Sequence, residues 1–190
     1  MNLIEHNLRK AQQILEQFVS DTINIKAIAV AGKLMVSAIR RNNKIISCGN
    51  GGSMADAMHF AEELSGLFRE RRPAIAALSI SDPSHITCVA NDYGFEHIFS
   101  RYIEGLGRKG DVLLAISTSG NSPNIINAAK TAHKKAMKVV ALTGNGGGKL
   151  FRLADCSIIA PSSTYSDRIQ EVHIKVIHCL IDYIERNIKR

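Results

Sequence analysis

Tryptophan is absent from this sequence, and only 5% of the residues are aromatic. The four cysteines, at positions 48, 88, 156 and 179, lie far apart and form no C-x-x-C pair. This pattern favours reduced thiols in a cytoplasmic protein over a disulfide framework.

Long apolar runs are also lacking. No stretch approaches the ~20 consecutive apolar residues that span a bilayer. The first 18 residues mix glutamate and other polar residues with the apolar ones, unlike a signal peptide. We therefore expect a soluble protein without a membrane partner.

Positive charge exceeds negative charge, with 24 lysines and arginines against 17 aspartates and glutamates. The basic residues are scattered, and the densest group, at 69–73, has no aromatic residues interleaved with it. Nucleic acid is therefore a poor candidate for a partner. A positive field would equally steer an anionic small molecule, such as a sugar phosphate, towards a cleft.

Two helices are predicted at the start of the chain. The first helix is amphipathic, because its apolar residues recur at helical spacing, at Leu3, Leu8, Ala11, Leu15 and Phe18. The second helix is predicted over residues 23–40. Such helices could cover one face of a sheet or pack against copies in other subunits, and the pattern does not distinguish the two.

Five short runs that are apolar throughout follow these helices, at 45–48, 74–78, 112–116, 139–142 and 156–160. Runs of this kind are typical of strands buried on both faces. Helical patterns lie between or after them, at 53–66, 95–106, 122–136 and roughly 164–189. The alternation predicts an α/β fold with a parallel sheet covered on both sides, in a single domain spanning residues 1–190.

Three loops rich in glycine and hydroxyl side chains follow predicted strands, at 49–53 (GNGGS), 117–122 (STSGNS) and 143–148 (TGNGGG). Open α/β sheets bind ligands at the carboxyl ends of their strands. Glycine lets backbone N–H groups converge on an anion, and the next helix N-terminus adds partial positive charge. None of the loops has the dinucleotide or P-loop pattern. A single such loop is more often an ordinary turn, but two after successive strands favour a bound phosphate.

His59 and Glu63 lie four residues apart in the helix predicted after the first loop, so both side chains point the same way. A lone histidine among apolar neighbours is more often a satisfied core residue, and the adjacent acids Glu62 and Glu63 are more often a solvated face. His178 lies in the apolar run VIHCLI, where an unpartnered imidazole would be costly to bury.

Four stretches, SCGNGGS, DAMHFAEEL, AISTSGNS and DRIQEVHIKVIH, resemble the SIS (sugar isomerase) domain family, and in particular its isomerases of heptose phosphates. The similarity runs from about residue 3 to residue 188. It implies a flavodoxin-like five-stranded parallel sheet with helices on both faces, preceded by N-terminal helices. It also implies a homotetramer whose active sites lie between subunits.

The reaction implied by the resemblance converts sedoheptulose 7-phosphate to D-glycero-D-manno-heptose 7-phosphate through an enediol. This step is the entry to the heptoses of lipopolysaccharide in Gram-negative bacteria. Two alternatives stay open: a non-catalytic SIS-domain tetramer that binds the replication initiator, and a regulator that senses a sugar phosphate. Glu63 and His178 favour the enzyme, because the initiator-binding relative lacks both.

The resemblance also implies the site residues. Glu63 and His178 align with the family's acid–base pair, which moves a proton between adjacent carbons. The ligands of one Zn²⁺ per subunit align with His59, Glu63, Gln170 and His178. The substrate contacts carry over to Asn50, Gly51, Gly52, Glu63, Asn91, Asp92, Ser117, Thr118, Ser119, Ser122 and Gln170.

Gln170 and His178 pose a geometric question, because eight residues of one helix rise ~12 Å and turn ~80°. They could share an ion if their side chains lean towards each other or if different subunits supply them. Glu171, on nearly the same face as His178, is a reserve ligand. Two positions depart from the family pattern: Leu67 replaces an arginine expected to bind substrate, and Met54 replaces a histidine found in some relatives.

Overall fold

Five short strands form one parallel sheet in the computed structural model, which describes residues 2–188. The strands are β1 (Ile45–Cys48), β2 (Ala77–Ser79), β3 (Val112–Ser117), β4 (Lys138–Thr143) and β5 (Cys156–Ile159). Their order across the sheet is β2-β1-β3-β4-β5, and every neighbouring pair is parallel. This is the flavodoxin-like order, and it confirms the predicted fold class.

Residues along the strands alternate between two hydrophobic layers, because successive side chains of a strand point to opposite faces. Ile45, Leu114 and Leu142 belong to one layer. Ile46 and Leu113 belong to the other. The sheet is therefore buried on both faces, as the continuous apolar runs predicted.

Helices cover both faces of the sheet. One face carries α1 (Leu3–Ser20), α2 (Thr22–Arg40), α3 (Gly52–Ser65) and α8 (Ser166–Ile188). The other face carries α4 (Pro83–Tyr93), α5 (Ile98–Leu106), α6 (Pro123–Lys134) and the short α7 (Gly148–Phe151). The two predicted N-terminal helices are confirmed, whereas a single domain over residues 1–190 stays a prediction.

The break between α1 and α2 falls at Asp21, whose carboxylate accepts a 2.9 Å hydrogen bond from Ile23 N and caps α2. Within residues 2–188, α2 is the one helix long and apolar enough to cross a membrane. Its Ala31 and Met35 are fully buried in the layer beneath the sheet. A helix of a protein core passes the same test, so the length and composition of α2 are weak evidence for a membrane span.

Two element boundaries differ from the predictions. β2 begins at residue 77 instead of 74, because Ile75 N donates to Leu64 O at the end of α3 and so leaves the strand ladder. The helix predicted at 95–106 is interrupted: a 3₁₀ turn occupies 95–97 after Gly94, which has φ 95°, and α5 follows. The predicted end of the last helix, at 189, lies outside the described residues.

α4 and α7 were not among the predicted helices. The start signal of α4 is present in the sequence, since Asp82 accepts a 2.7 Å hydrogen bond from His85 N and Pro83 occupies the first turn. α7 has four residues, too few to show a helical period.

Candidate active site

α3 and α8 run side by side and bring distant parts of the chain together. A Cβ on Gly52 would lie 2.7 Å from both polar atoms of the Gln170 carboxamide, so glycine lets the helices approach at this end. About two turns further along, His59 of α3 meets His178 of α8, and their Nε2 atoms are 3.0 Å apart.

Three predicted site residues converge at this second contact. His59 Nε2 lies 3.5 Å from Glu63 Oε1 as well as 3.0 Å from His178 Nε2. The other nitrogen of the same ring, Nδ1, faces Glu62 Oε1 at 3.6 Å. The Phe68 ring stacks on His178 with 5.9 Å between centroids. A single chain thus assembles two imidazoles and a carboxylate beside an aromatic ring.

The surroundings favour the neutral form of His178 and leave one oxygen of Glu63 without a partner. Partial burial and the neighbouring His59 lower the pKa of His178 below its usual value. The Glu63 side chain is 17% exposed, and its Oε2 is buried with no hydrogen-bond partner among the described residues. A buried oxygen of this kind calls for a partner outside the chain's own hydrogen bonds.

The converging donors fit a Zn²⁺ ion. Zinc takes histidine nitrogens and carboxylate oxygens at ~2.0–2.2 Å in a tetrahedron, which sets neighbouring ligand atoms about 3.3 Å apart. The two separations around His59 Nε2, 3.0 and 3.5 Å, bracket that value. One atom each of His59, Glu62 and Glu63 also lies within 4.8 Å of the others. The residues present therefore suit the metal that the family resemblance implies.

Gln170 and its neighbour Glu171 differ in what they contact. Gln170 faces α3 at Gly52. Glu171 instead binds a cation of its own helix, since Arg168 Nη1 lies 2.6 and 2.8 Å from its two carboxylate oxygens. Gly52 lies about two turns of α3 before His59, so within one chain the Gln170 carboxamide is not brought to the His59–His178 contact.

Asp56 is a buried acid on α3 that was not among the predicted site residues. Burial raises its pKa to about 6, and the nearby His59 acts in the opposite direction. Its Oδ2 has no partner among residues 2–188. The sequence did contain a signal for Asp56, because an acid one turn before His59 on the same helix lies on the same face.

The first two glycine-rich loops flank the centre of the sheet. They follow β1 and β3, which are neighbours there. The chain order reverses between these two strands, and such a switch point opens a crevice at the carboxyl ends. Gly51 makes the turn of the first loop with φ 54°. In the described structure no side chain caps α3 or α6, the helices that follow.

Asn50 ties the two loops together through Asn124. Each carboxamide donates to the other, over 3.0 and 2.8 Å. Asn124 is only 2% exposed, and sequence reasoning missed it, although a polar residue after the proline that opens α6 was a visible signal. In the second loop, the Ser117 and Ser122 hydroxyls lie 3.1 Å apart and Ser119 Oγ accepts a backbone N–H of its own loop at 3.1 Å.

The third loop packs on the second. Gly144 N donates to Thr118 O at 3.0 Å, and Leu150 N donates to Gly120 O at 2.9 Å. Gly120 has φ 62°, and a Cβ there would collide with the carbonyl oxygen of Gly147. The close approach of the two loops therefore depends on a glycine at position 120.

Asn91 and Asp92 lie at the end of α4, the helix that follows the edge strand β2. Both are exposed, and Asn91 Nδ2 donates to Asp92 Oδ1 at 2.7 Å. Their role in sugar binding stays a prediction. Leu67 is 55% exposed and directly precedes Phe68 of the histidine cluster.

Comparison with known proteins agrees with this arrangement. The family model described as SIS domain matches residues 6–144. That match covers the N-terminal helices, four of the five strands and both loops at the switch point. The fold and the site thus define a SIS-domain protein.

Relatives that match over nearly the full length of both chains narrow the family to which this SIS-domain protein belongs. The chain is 55% identical over 188 residues to the phosphoheptose isomerase of Aeromonas hydrophila subsp. hydrophila, covering 99% of this chain and 98% of that one. It is 56% identical over 186 residues to that of Tolumonas auensis, covering 98% and 97%. The solved phosphoheptose isomerase GmhA from Neisseria gonorrhoeae matches with a TM-score of 0.86 at 40% identity, covering 97% of both chains. The chain belongs to the phosphoheptose isomerases, a family of SIS-domain enzymes.

Proposed function

We propose that the protein converts sedoheptulose 7-phosphate to D-glycero-D-manno-heptose 7-phosphate through an enediol. The observation that carries the proposal is the meeting of His59, Glu63 and His178 about two turns along α3 from the glycine-rich loop that follows β1. A ketose-to-aldose isomerisation needs a base and a partner acid, and this cluster offers both.

The phosphate of the substrate is proposed to lie in the crevice between the first two loops. The N-termini of α3 and α6 both open there, and each adds partial positive charge. The hydroxyls of Ser117, Thr118, Ser119 and Ser122 supply donors. Asn50 and the glycines of the first loop complete this cradle.

The Glu63 carboxylate takes the proton from C1 of the ketose and returns it to C2. Once substrate displaces His178 from the metal, its neutral ring has one N–H and one free nitrogen, so it moves a proton between the oxygens on those carbons. The lowered pKa of His178 supports this role, because it favours the neutral form of the ring. Phe68 limits the access of water to the ring.

We also propose that His59, Glu63, Gln170 and His178 hold one Zn²⁺ per subunit. When bound, the ion would polarise the carbonyl and hydroxyl oxygens of the substrate. The unpartnered Glu63 Oε2 and the spacing of the two imidazole nitrogens support His59, Glu63 and His178 as ligands, and Gln170 would complete the set from another subunit.

A cytoplasmic homotetramer is part of the proposal. Leu3, Ile4 and Leu8 on the first half of α1 are 74%, 68% and 67% exposed, which is more apolar surface than one helix usually leaves to water. Packing of this surface against other subunits would bury it. The pathway that the reaction serves is proposed to be the synthesis of lipopolysaccharide heptoses.

The decisive experiment is to incubate the pure protein with sedoheptulose 7-phosphate and to follow aldose formation. We expect turnover in the presence of Zn²⁺. If neither the Zn²⁺-loaded nor the metal-free protein turns over the substrate, while sedoheptulose 7-phosphate still binds, the chain is a binding module.

A further inference from the structure

Arg72 forms a buried junction between three parts of the fold. It lies between α3 and β2, and its side chain is 4% exposed. Its Nε donates to Glu185 Oε1 of α8 at 2.6 Å. Its Nη2 donates to Glu63 O at 2.6 Å, and its Nη1 donates to Leu64 O at 2.7 Å. One guanidinium thus holds the end of α3 against α8.

The bonding at this junction is matched to a guanidinium. The last carbonyls of a helix have no partner within the helix and carry partial negative charge, so a cation is favoured there. The planar fork of arginine can satisfy two carbonyls and a carboxylate at once, which the single ammonium of a lysine cannot do with the same geometry. The Glu185 side chain is only 6% exposed, so both charges are removed from water.

A gain in folding stability does not by itself explain why the fold buries this ion pair. Replacing a buried ion pair with apolar residues is often neutral or stabilising, because desolvation of the charges offsets their attraction. A buried, fully bonded pair is better suited to fix one arrangement of the elements it joins. Here those elements are α3, which carries His59 and Glu63, and α8, which carries His178.

The junction lies close to the catalytic cluster along both helices. On α3 it bonds the backbone carbonyl of Glu63 itself. On α8, Glu185 lies seven residues after His178, two turns along nearly the same face. A slide of one helix along the other would therefore change the separation of the two Nε2 atoms, which is 3.0 Å.

We propose that Arg72 and Glu185 are positioning residues that fix the spacing of α3 and α8, so that His59, Glu63 and His178 meet in one site. The inference deepens the proposed function and rests on it for the effect on turnover. Its effects on zinc affinity and on geometry are measured without substrate.

The test is the double variant Arg72→Met/Glu185→Leu, which removes both buried charges together. We expect a folded protein in which kcat falls at least tenfold while KM for sedoheptulose 7-phosphate changes less than threefold, because the phosphate loops are untouched. Zn²⁺ affinity, titrated calorimetrically, should fall by 10- to 100-fold, as when supporting residues of metal sites are lost. A crystal structure should show the Nε2 atoms of His59 and His178 displaced by more than about 0.5 Å.

The control is Lys44→Met, which breaks the 2.6 Å ion pair with Asp111. That pair lies at the start of β1 and just before β3, at the end of the sheet opposite the site. The control should lose stability but keep kcat and Zn²⁺ affinity. If the double variant fails to fold, Glu185→Gln replaces it, with an expected loss of at least threefold in Zn²⁺ affinity.

Unchanged Zn²⁺ affinity and an unchanged Nε2 separation in the folded variant would overturn the proposal. Equal losses of zinc affinity in the variant and the Lys44→Met control would overturn it too, since a general loss of stability would then explain both. A parent protein that does not turn over sedoheptulose 7-phosphate would refute the proposed function. The measurements of zinc affinity and of the Nε2 separation would still decide whether Arg72 and Glu185 position the two helices.

Discussion

The Nε2 atoms of His59 and His178 lie 3.0 Å apart, although 119 positions separate the two residues in the chain. At this distance the two nitrogens can share one proton or one metal ion, but they cannot both carry a proton without repulsion. The lowered pKa of His178 has this repulsion as its second cause, after burial. The contact therefore suits both a proton-transfer group and a pair of metal ligands, and substitutions can test each role.

Removing either member of the acid–base pair should abolish most turnover. We expect Glu63→Gln and His178→Ala each to lower kcat by at least the ~100-fold typical of positioned acid–base groups. The double variant should lose little more than the worse single variant, because the two groups act as a unit. Steady-state kinetics on folded protein measure this, with Glu104→Gln, an exposed position of α5, as the control. Near-parental turnover in either single variant would remove that residue from the mechanism.

Removing the metal should remove activity. Treatment with a chelator should abolish turnover, and Zn²⁺ should restore it, because the ion would stabilise the negative charge of the enediolate. Calorimetry should show one Zn²⁺ per subunit in the parent and much weaker binding in His59→Ala. Full turnover by demonstrably metal-free protein would exclude a catalytic metal. Parental Zn²⁺ affinity in His59→Ala would place the ion elsewhere.

Introducing at position 67 the arginine that the family resemblance implies should strengthen substrate binding. Leu67 is 55% exposed beside the cluster, so Leu67→Arg can be accommodated, and the added guanidinium should lower KM for sedoheptulose 7-phosphate. Kinetics at saturating Zn²⁺ would show the change. An unchanged or higher KM would indicate that another cation already fills the role, and Arg69 is the candidate, since it lies 4.9 Å over the Phe68 ring.

Acid should destabilise the protein through His173. This side chain is fully buried on α8, its ring bonds to Thr143 O at 2.9 Å, and burial lowers its pKa from 6.5 to about 4. Between these two values the unfolded chain binds a proton that the folded state does not, so the free energy of unfolding falls as pH falls. The total contribution is roughly 3 kcal/mol at 1.36 kcal/mol per pKa unit.

Urea denaturation of the parent and of His173→Gln at pH 7 and pH 4.5 measures the contribution of His173 to the free energy of unfolding. Asp56, whose pKa is raised to about 6, acts in the opposite sense, but it is present in both proteins and cancels in the difference. The variant should lose less stability than the parent between the two pH values. An equal loss in both would assign the acid sensitivity to other groups.

A side chain at position 120 should damage the phosphate cradle. Gly120→Ala would force a β-carbon against the Gly147 carbonyl at a φ of 62°, a strained conformation for any residue other than glycine. We expect a destabilisation of more than about 1 kcal/mol and a raised KM, because the second and third loops must separate. Gly105→Ala, with no atom within 4 Å of the new Cβ, is the control. Equal KM values in the two variants would contradict the role of the loop contact.

Much of the architecture could be predicted from local sequence. The apolar runs at 45–48 and 112–116 predicted buried strands because a strand covered on both faces shows no polar alternation, and the structure has strands there. β2 was misplaced by three residues because periodicity cannot register that Ile75 N bonds to the end of α3. α4 was missed although its cap was visible at Asp82.

The sequence by itself determined the class of protein, since its loops, its strand pattern and its family motifs are all local features. It also determined that His59 and Glu63 share one helix face, because four residues make about one turn. Only the tertiary structure decided that His178 meets His59 while Gln170 meets Gly52, and that Arg72 and Glu185 bond across the end of α3. The register of α8 against α3 is set by how two apolar faces interlock around small residues, and helical periodicity predicts the faces but not the register.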